Sequence, residues 1–404
     1  MKILVLNAGS SSQKLRLYEI ARQTPPALTP PAPLWAVDAD WGEKAGQITI
    51  THSAGGETSS SQQPAGERTE ILRTLLESLW QGKHAVLHKP GEIDLIGHRV
   101  VHGGHHSQHS ALITPPLLEA LYQLVPFAPL HQSANLAGIE TTRSLFPAQP
   151  QVAVFDTAYH RQMPRVARIY PGPYAWFEQG ICRYGFHGIS HAYCAQRSAQ
   201  LVGQEISLLR IVTCHLGNGC SLAAILGGQS IDTTMGFTPL EGLMMGTRSG
   251  SLDPEILLYL QREQGTSHEE LADILNHQSG LKGISGISGD MRTILEARTQ
   301  GNERAILALD LYIYRLRSCL GSMIAALEGI DVLTFTGGVG EHSSEVRART
   351  CKSFGFLGIA LDEEKNAAAA GDQDISAENA SVRVLVVHTE EDWEIARTCW
   401  QRHA

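Results

Sequence analysis

One short plan occurs twice, about half a chain apart, and it restricts the folds open to this sequence more than any other feature. The apolar run Ile3-Leu4-Val5-Leu6 leads into Asn7-Ala8-Gly9-Ser10-Ser11-Ser12-Gln13-Lys14 and then into a second strand-like segment, Leu15 to Ile20. Residues Ile211 to Leu226 follow the same order: a β-branched run, a turn at Gly217-Asn218-Gly219, and a second apolar run after Ser221. A small-residue turn between two strands can hold a phosphate. Glycine lets the backbone approach the anion, serine hydroxyls donate, and Lys14 adds a positive point charge. The first turn is not a Walker loop, because Lys14 follows the serines and leads into extended chain instead of a helix. A third glycine turn, Thr336-Gly337-Gly338-Val339-Gly340-Glu341, follows the strand-like run Val332 to Phe335. Singly, each reads more readily as a tight turn than as a ligand site. Together they suggest two related halves, each presenting a phosphate-binding turn at the strand ends where open α/β sheets place their ligands.

The rest of the chain alternates strand and helix patterns. Asp94 to Val101, Gln151 to Phe155, Leu208 to Cys214 and Asp331 to Phe335 read as strands; Asp253 to Gln264 and Asn302 to Leu327 read as helices. Such alternation favours sheets covered by helices. Two segments read as surface decoration: Thr24 to Pro33, rich in proline, and Thr51 to Gly66, rich in Ser, Gly and Gln. With 404 residues the expectation is two to three domains. A net charge of −9 with scattered basic residues argues against a nucleic-acid or membrane-surface footprint. No apolar stretch approaches the ~18 residues of a spanning helix, and only four apolar residues follow Met1-Lys2, so a cytoplasmic protein is expected. The seven cysteines contain no C-x-x-C pair, which favours free buried thiols over a zinc cage or disulfide framework.

Longer strings carry a resemblance. Beyond Asn7 to Lys14 they are G-H-R-V-V-H-G-G at Gly97 to Gly104, P-L-H at Pro129 to His131 and F-D-T-A at Phe155 to Ala158. They continue with R-Y-G-F-H-G at Arg183 to Gly188, H-L-G-N-G at His215 to Gly219, and T-P-L-E-G-L-M-M-G-T-R-S-G at Thr238 to Gly250. In these motifs the chain resembles the acetate kinase family, within the superfamily of acetate and sugar kinases, Hsp70 and actin. The resemblance implies an α/β fold of two actin-like (ribonuclease H-like) domains, each a mixed sheet flanked by helices, around a nucleotide cleft. One domain is expected over residues 1–155 plus 393–404; the other, over 156–392, would carry the nucleotide site and a homodimer interface. The implied reaction is reversible phosphorylation of acetate by ATP, with propionate or another short-chain acid as the alternative acceptor. A more distant alternative is an ATP-driven binding module of the Hsp70 or actin kind.

Residue roles follow from the same resemblance. Arg99 would hold acetate, with Val101, Leu130, Phe186 and Pro239 around its methyl group. Asp156, His187 and Arg248 would be catalytic, His187 donating to the transferring phosphoryl group and Arg248 stabilising the transition state. A guanidinium suits either task, since it grips a carboxylate or phosphoryl group through paired donors. For Asp156 the family role is proton exchange, yet a carboxylic acid with a pKa near ~4 is already ionised at neutral pH and needs no base. Orienting an arginine or a metal-bound water is the physical alternative. ATP contacts are expected from Ser10, Ser12 and Lys14; from His215, Leu216, Gly217, Asn218 and Gly219; from Asp290, Met291 and Arg292; and from Gly338, Val339, Gly340, Glu341 and His342. Asn7 and Glu391 are the expected ligands of magnesium, or of manganese in its place, a hard cation that keeps several waters and takes one or two protein oxygens. Where the family reads T-N-E-E, this chain has Thr389-Glu390-Glu391-Asp392, leaving Glu390 as an alternative ligand. His105, Gln132 and Ser251 also depart from the family strings, and they flank the acyl pocket and the Arg248 turn.

Overall fold

The computed structural model describes residues 1–9, 12–41, 46–104, 109–125 and 129–403, with the side chains of 129–131 outside the description. The chain forms two compact units, Met1–Ala158 with Glu390–Ala404, and Tyr159–Thr389.

In the first unit an eight-stranded sheet is built from β1 (Lys2–Ala8), β2 (Ser12–Glu19), β3 (Trp35–Asp40), β4 (Gln47–Ala54), β5 (Glu57–Pro64), β6 (Leu95–Val100), β7 (Ala111–Leu112) and β8 (Gln151–Phe155). Its order is β5-β4-β3-β2-β1-β6-β8-β7. Strands β1 to β5 form an antiparallel meander, while β6 runs parallel to β1 and β8 parallel to β6. In the second unit β9 (Arg210–Leu216), β10 (Cys220–Leu226), β11 (Gln229–Thr233), β12 (Val332–Thr336), β13 (Gln373–Asp374) and β14 (Arg383–Val386) form a six-stranded sheet in the order β11-β10-β9-β12-β14-β13. Again a meander comes first, and β12 and β14 then add in parallel. The order third, second, first, then two parallel strands is common to both units, so the repeated plan in the sequence is a repeated sheet topology. Central strands such as β8 and β12 are buried at every position, which is why they read as continuous apolar runs without alternation.

The Ser- and Gln-rich stretch from Thr51 to Gly66 corrects the expectation of decoration: it supplies half of β4 and all of β5. Its polar side chains suit an edge, where β5 is almost wholly exposed and has no apolar face to bury. A polar edge also discourages pairing with other chains. The Pro-rich segment, by contrast, is irregular, and Trp393 Nε1 donates to the Ala27 carbonyl at 3.0 Å.

Helices cover both sheets. The 24-residue helix Glu303–Ala326 starts on an Asn302 cap, whose side chain accepts from Ala305 N. It buries Ala305, Leu309, Tyr312, Leu316, Leu320 and Met323, a stripe at helical spacing. The terminal helix Glu391–His403 packs against β1 and β6. Gly97 permits that approach: a Cβ there would stand 2.5 Å from Cys399 Sγ and 2.9 Å from Ile395 Cγ2. The terminal helix thus starts with Glu391 and Asp392 beside the end of β1.

Candidate active site

In the first unit the parallel strands β1, β6 and β8 end side by side, and several of the candidate site residues sit at those ends. Asn7 is next to last in β1, Arg99 next to last in β6, and Asp156 follows β8 directly. Arg99 Nε lies 3.1 Å from both carboxylate oxygens of Asp156, and Nη2 reaches Oδ2 at 2.7 Å. Nη1 donates to Asn7 Oδ1 at 3.2 Å and lies 3.8 Å from Glu391 Oε2. Burial works against the arginine's charge, but Asp156 first and Glu391 second hold its pKa above the ordinary value. The pair is nearly dry, with side-chain exposures of 13% for Arg99 and 2% for Asp156, so Asp156 acts as a fixed brace on the guanidinium. Of the five N–H groups, two face Asp156 and a third faces Asn7, which leaves two for a ligand.

Asn7 Nδ2 donates to Asp392 Oδ1 at 2.7 Å and to Glu391 Oε2 at 3.3 Å. Asp392 was not among the expected site residues. Its position immediately after Glu391 was the available signal, masked by the ordinary abundance of acids at helix amino termini. The oxygens of Asn7 and Glu391 are hard donors, and a magnesium ion needs no more than one or two of them. No cluster of three His, Cys, Asp or Glu side chains placed for a metal occurs among the described residues. The donor set therefore fits a cation completed by phosphates and water better than one caged by protein.

The first turn closes through Gly9 N donating to Ser12 O at 2.8 Å. Lys14, exposed on β2, pairs in register with Asn7 and makes no ion pair among the described residues. Ser10 lies outside the described residues, as does the side chain of Leu130. Val101 is buried, and its N–H is anchored by Asn135 Oδ1 at 3.0 Å.

The second unit presents its own set. The β9–β10 turn carries Gly217 and Gly219, with Gly217 N donating to Gly219 O at 3.0 Å. His187 caps the helix Gly188–Val202 with φ of 56°, a left-handed conformation that a non-glycine residue adopts at a cost and that often marks a functional position. Its ring stacks on His215 with centroids 4.3 Å apart, and its Nδ1 lies 2.9 Å from Ser221 Oγ. The absent side chain of Gly219 matters here. A Cβ built there would be 3.4 Å from Arg248 Nη1 and 3.5 Å from His187 Nε2, so both donors converge on one small space. Arg248 gives Nη1 to the Pro239 carbonyl at 3.0 Å and has no carboxylate partner among the described residues. Burial disfavours its charge and lowers its pKa from the ordinary value. A half-buried arginine without a counterion is built to receive an anion. Phe186 is buried and Pro239 half-buried beside these groups in sequence.

Two further loops join the turn. Asn218 O accepts from Gly246 N at 3.2 Å, and a Cβ on Gly246 would meet Asn218 Oδ1 at 2.3 Å and Gly289 O at 2.9 Å. This brings Asp290 to Arg292 close to Asn218. Asp290 caps the helix Met291–Thr299, accepting from Arg292 N at 2.8 Å, and Met291 is buried, so Arg292 is the exposed member of the three. Gly337, at φ of 76°, approaches the Leu216 carbonyl where any Cβ would clash. Within Gly337–His342, Gly338 and His342 are exposed, Val339 is half-buried and Gly340 is buried. Glu341 faces inward: Oε1 accepts from Gly337 N at 3.0 Å and Oε2 meets His388 Nδ1 at 2.7 Å. Its carboxylate thus clasps its own turn.

Known proteins share this organisation. The profile of the acetokinase family matches residues 2–397. An acetate kinase from Cyanothece sp. is 54% identical, covering 99% of this chain and 98% of that one. The crystal structure of Porphyromonas gingivalis acetate kinase superposes with a TM-score of 0.87 at 38% identity, covering 100% of both chains. A propionate kinase structure from Francisella tularensis gives a TM-score of 0.87 at 35% identity over 99% of each chain. Two helix-flanked mixed sheets of the actin-like type, the repeated site motifs and this full-length similarity lead to one conclusion: the chain belongs to the acetokinase family.

Proposed function

We propose that this protein is a phosphotransferase that moves the γ-phosphoryl group of ATP to acetate, reversibly, giving acetyl phosphate and ADP. The observation that carries the reading is the convergence of His187 Nε2 and Arg248 Nη1 at Gly219, with Arg248 lacking a counterion among the described residues. Phosphoryl transfer needs little covalent help from protein; it needs in-line positioning and positive charge on the equatorial oxygens. Arg248 and the His187 ring supply donors for that charge. Arg99, braced by Asp156, keeps two N–H groups for the carboxylate of the acid. Asp156 then has an orienting role and takes no proton, because the acid arrives ionised.

Magnesium, or manganese in its place, would be held by Asn7 and Glu391, and when bound it would neutralise charge on the nucleotide phosphates. Ser12, Lys14, His215 to Gly219, Arg292 and Gly338 to His342 are the groups we assign to the nucleotide. For the acyl group, Val101, Leu130, Phe186 and Pro239 would set chain-length preference. Likeness to the Francisella propionate kinase favours a graded second substrate, propionate, because one methylene in such a pocket is worth only about 1 to 3 kcal/mol. An ATP-driven binding module would have no use for Arg99 and Arg248 as separate anion receivers. We place the enzyme in the cytoplasm, where its nucleotide is supplied. We also infer a homodimer through the second unit, where Ile256, Leu258, Tyr259, Leu307 and Tyr314 expose apolar surface. Light scattering at micromolar concentration should return twice the chain mass.

The reaction is tested by offering purified protein ATP and magnesium with acetate, propionate, butyrate or no acid, and trapping acyl phosphate with hydroxylamine. Trapping should be greatest with acetate and smaller with propionate. ATP consumption at the same rate with every acid and with none would remove the carboxylate-kinase reading.

A further inference from the structure

Behind His187 lies a row of buried hydrogen-bonding groups whose directions can be worked out. Ser221 Oγ sits 2.9 Å from His187 Nδ1 and 2.7 Å from His191 Nε2; on the other side of its ring, His191 Nδ1 lies 2.6 Å from Thr213 Oγ1. Thr213, His191 and Ser221 are all 0% exposed. Thr213 Oγ1 has no second partner among the described residues, so its hydroxyl proton has one place to go, the Nδ1 of His191. Were the direction reversed, that proton would be left buried without an acceptor, a costly arrangement. His191 is fully desolvated and faces the rings of His160 and His215 at 5.7 and 6.4 Å, so it stays neutral and carries a single N–H. With Nδ1 accepting, that proton is on Nε2, and it goes to Ser221 Oγ. Ser221 then has its own proton to give, and the remaining acceptor is His187 Nδ1. His187 in turn must carry its proton on Nε2, the atom that shares the Gly219 space with Arg248 Nη1.

We propose that Thr213, His191 and Ser221 form a one-way hydrogen-bond relay that locks His187 as the Nε2–H tautomer, making His191 and Ser221 positioning residues for phosphoryl transfer. The inference rests on the kinase reading only for its kinetic consequence. In the locked state His187 is a donor to the phosphoryl oxygens without being protonated, so its contribution does not depend on forming imidazolium. Among the described residues, the groups facing it include His215, stacked on its ring, Arg248 from the loop after Pro239, and His191 through Ser221. Residues that orient a metal-binding imidazole typically cost 10- to 100-fold in activity when removed, and a loss of that order is expected for the partners of His187.

The direct test uses wild-type enzyme labelled with 15N-histidine, with His187 signals identified by their loss in His187→Asn. Long-range proton–nitrogen correlations should show His187 protonated at Nε2 and unprotonated at Nδ1; a proton on Nδ1 would overturn the relay. This readout stands whether or not acetate is the acceptor, so it separates failure of the relay from failure of the kinase assignment. In parallel, Ser221→Ala should lower kcat by roughly 10- to 100-fold. Its rate should also rise on acidification, because imidazolium restores an Nε2–H whichever tautomer prevails. His191→Gln, whose amide can still donate to Ser221, should retain most of the activity that His191→Phe loses. Ser221→Ala with wild-type kcat and pH profile would sink the proposal, and if that variant does not fold the labelled wild type decides.

Discussion

Replacing Gly219 by alanine separates catalysis from folding at a single atom. The added methyl would sit 3.4 Å from Arg248 Nη1 and His187 Cε1 and 3.5 Å from His187 Nε2, close to ordinary contact, and the backbone of Gly219 is not left-handed. Folding should therefore be unharmed, and a glycine-to-alanine change at a compatible position commonly stabilises by about 0.4 to 1 kcal/mol through the unfolded chain. The same methyl occupies the space on which two donors converge. Excluding a phosphoryl oxygen from even one preorganised donor costs roughly 2.7 to 4 kcal/mol of transition-state stabilisation, or about 100- to 1,000-fold in kcat. The assay is hydroxylamine trapping at saturating ATP and acetate, set beside the thermal midpoint. The expected result is a midpoint equal to or slightly above wild type with kcat reduced at least 100-fold. Gly246→Ala is the contrast: its Cβ would meet Asn218 Oδ1 at 2.3 Å, so it should lose stability and activity together. A Gly219→Ala enzyme within threefold of wild-type kcat would refute the convergence of His187 and Arg248 on the transferring group.

Asp156→Asn leaves Arg99 in place but removes most of its nearby negative charge, with Glu391 remaining at 3.8 Å. Unfolding free energy should fall by roughly 3 kcal/mol, the low end for breaking a buried pair, and KM for acetate should rise more than KM for ATP; equal rises would argue against Arg99 as the acid's anchor. Stability should also decline with mild acid. Burial lowers the pKa values of His98 and His160 to about 4, with Gln151 and the Phe186 carbonyl respectively opposing the shift. Both groups bind protons more readily in the unfolded chain, so their contribution is whole above the unfolded value of ~6.5 and is lost as pH falls toward 4, by about 3 kcal/mol each. Urea midpoints at pH 7.5, 6 and 5 check this, and a flat profile across that range would contradict neutral buried histidines.

Much of the candidate site could be proposed from sequence because its groups lie in short local motifs. Gly217-Asn218-Gly219 must be a tight turn between strands on residue type alone, and Arg99, His187 and Arg248 stand in long family strings. The Ser-rich stretch after Thr51 was misread because polarity on both faces looks like a loop until an edge is available to hold it. Glu341 and Asp290 stood in the expected nucleotide loops, yet both side chains are engaged with the local backbone, Glu341 on Gly337 N–H and Asp290 on Arg292 N–H. Short-range periodicity does not reveal which way such a side chain turns.

By itself the sequence determined the repeated strand–turn–strand plan, the helix-covered sheets and the identity of the groups able to meet a phosphate, since these depend on neighbours a few residues apart. Tertiary structure alone decided the partnerships: Asn7 with Asp392 across 385 residues, Arg99 with Asp156, and Ser221 shared between His187 and His191. Arg99 meets Asp156 because the parallel strands β6 and β8 end side by side, whereas the other partnerships depend on helices laid against the sheets: the terminal helix on β1 and the helix Gly188–Val202 on β9. The two arginines differ accordingly: Arg99 is braced by an acid that the sheet brings beside it, while Arg248 has no acid beside it among the described residues.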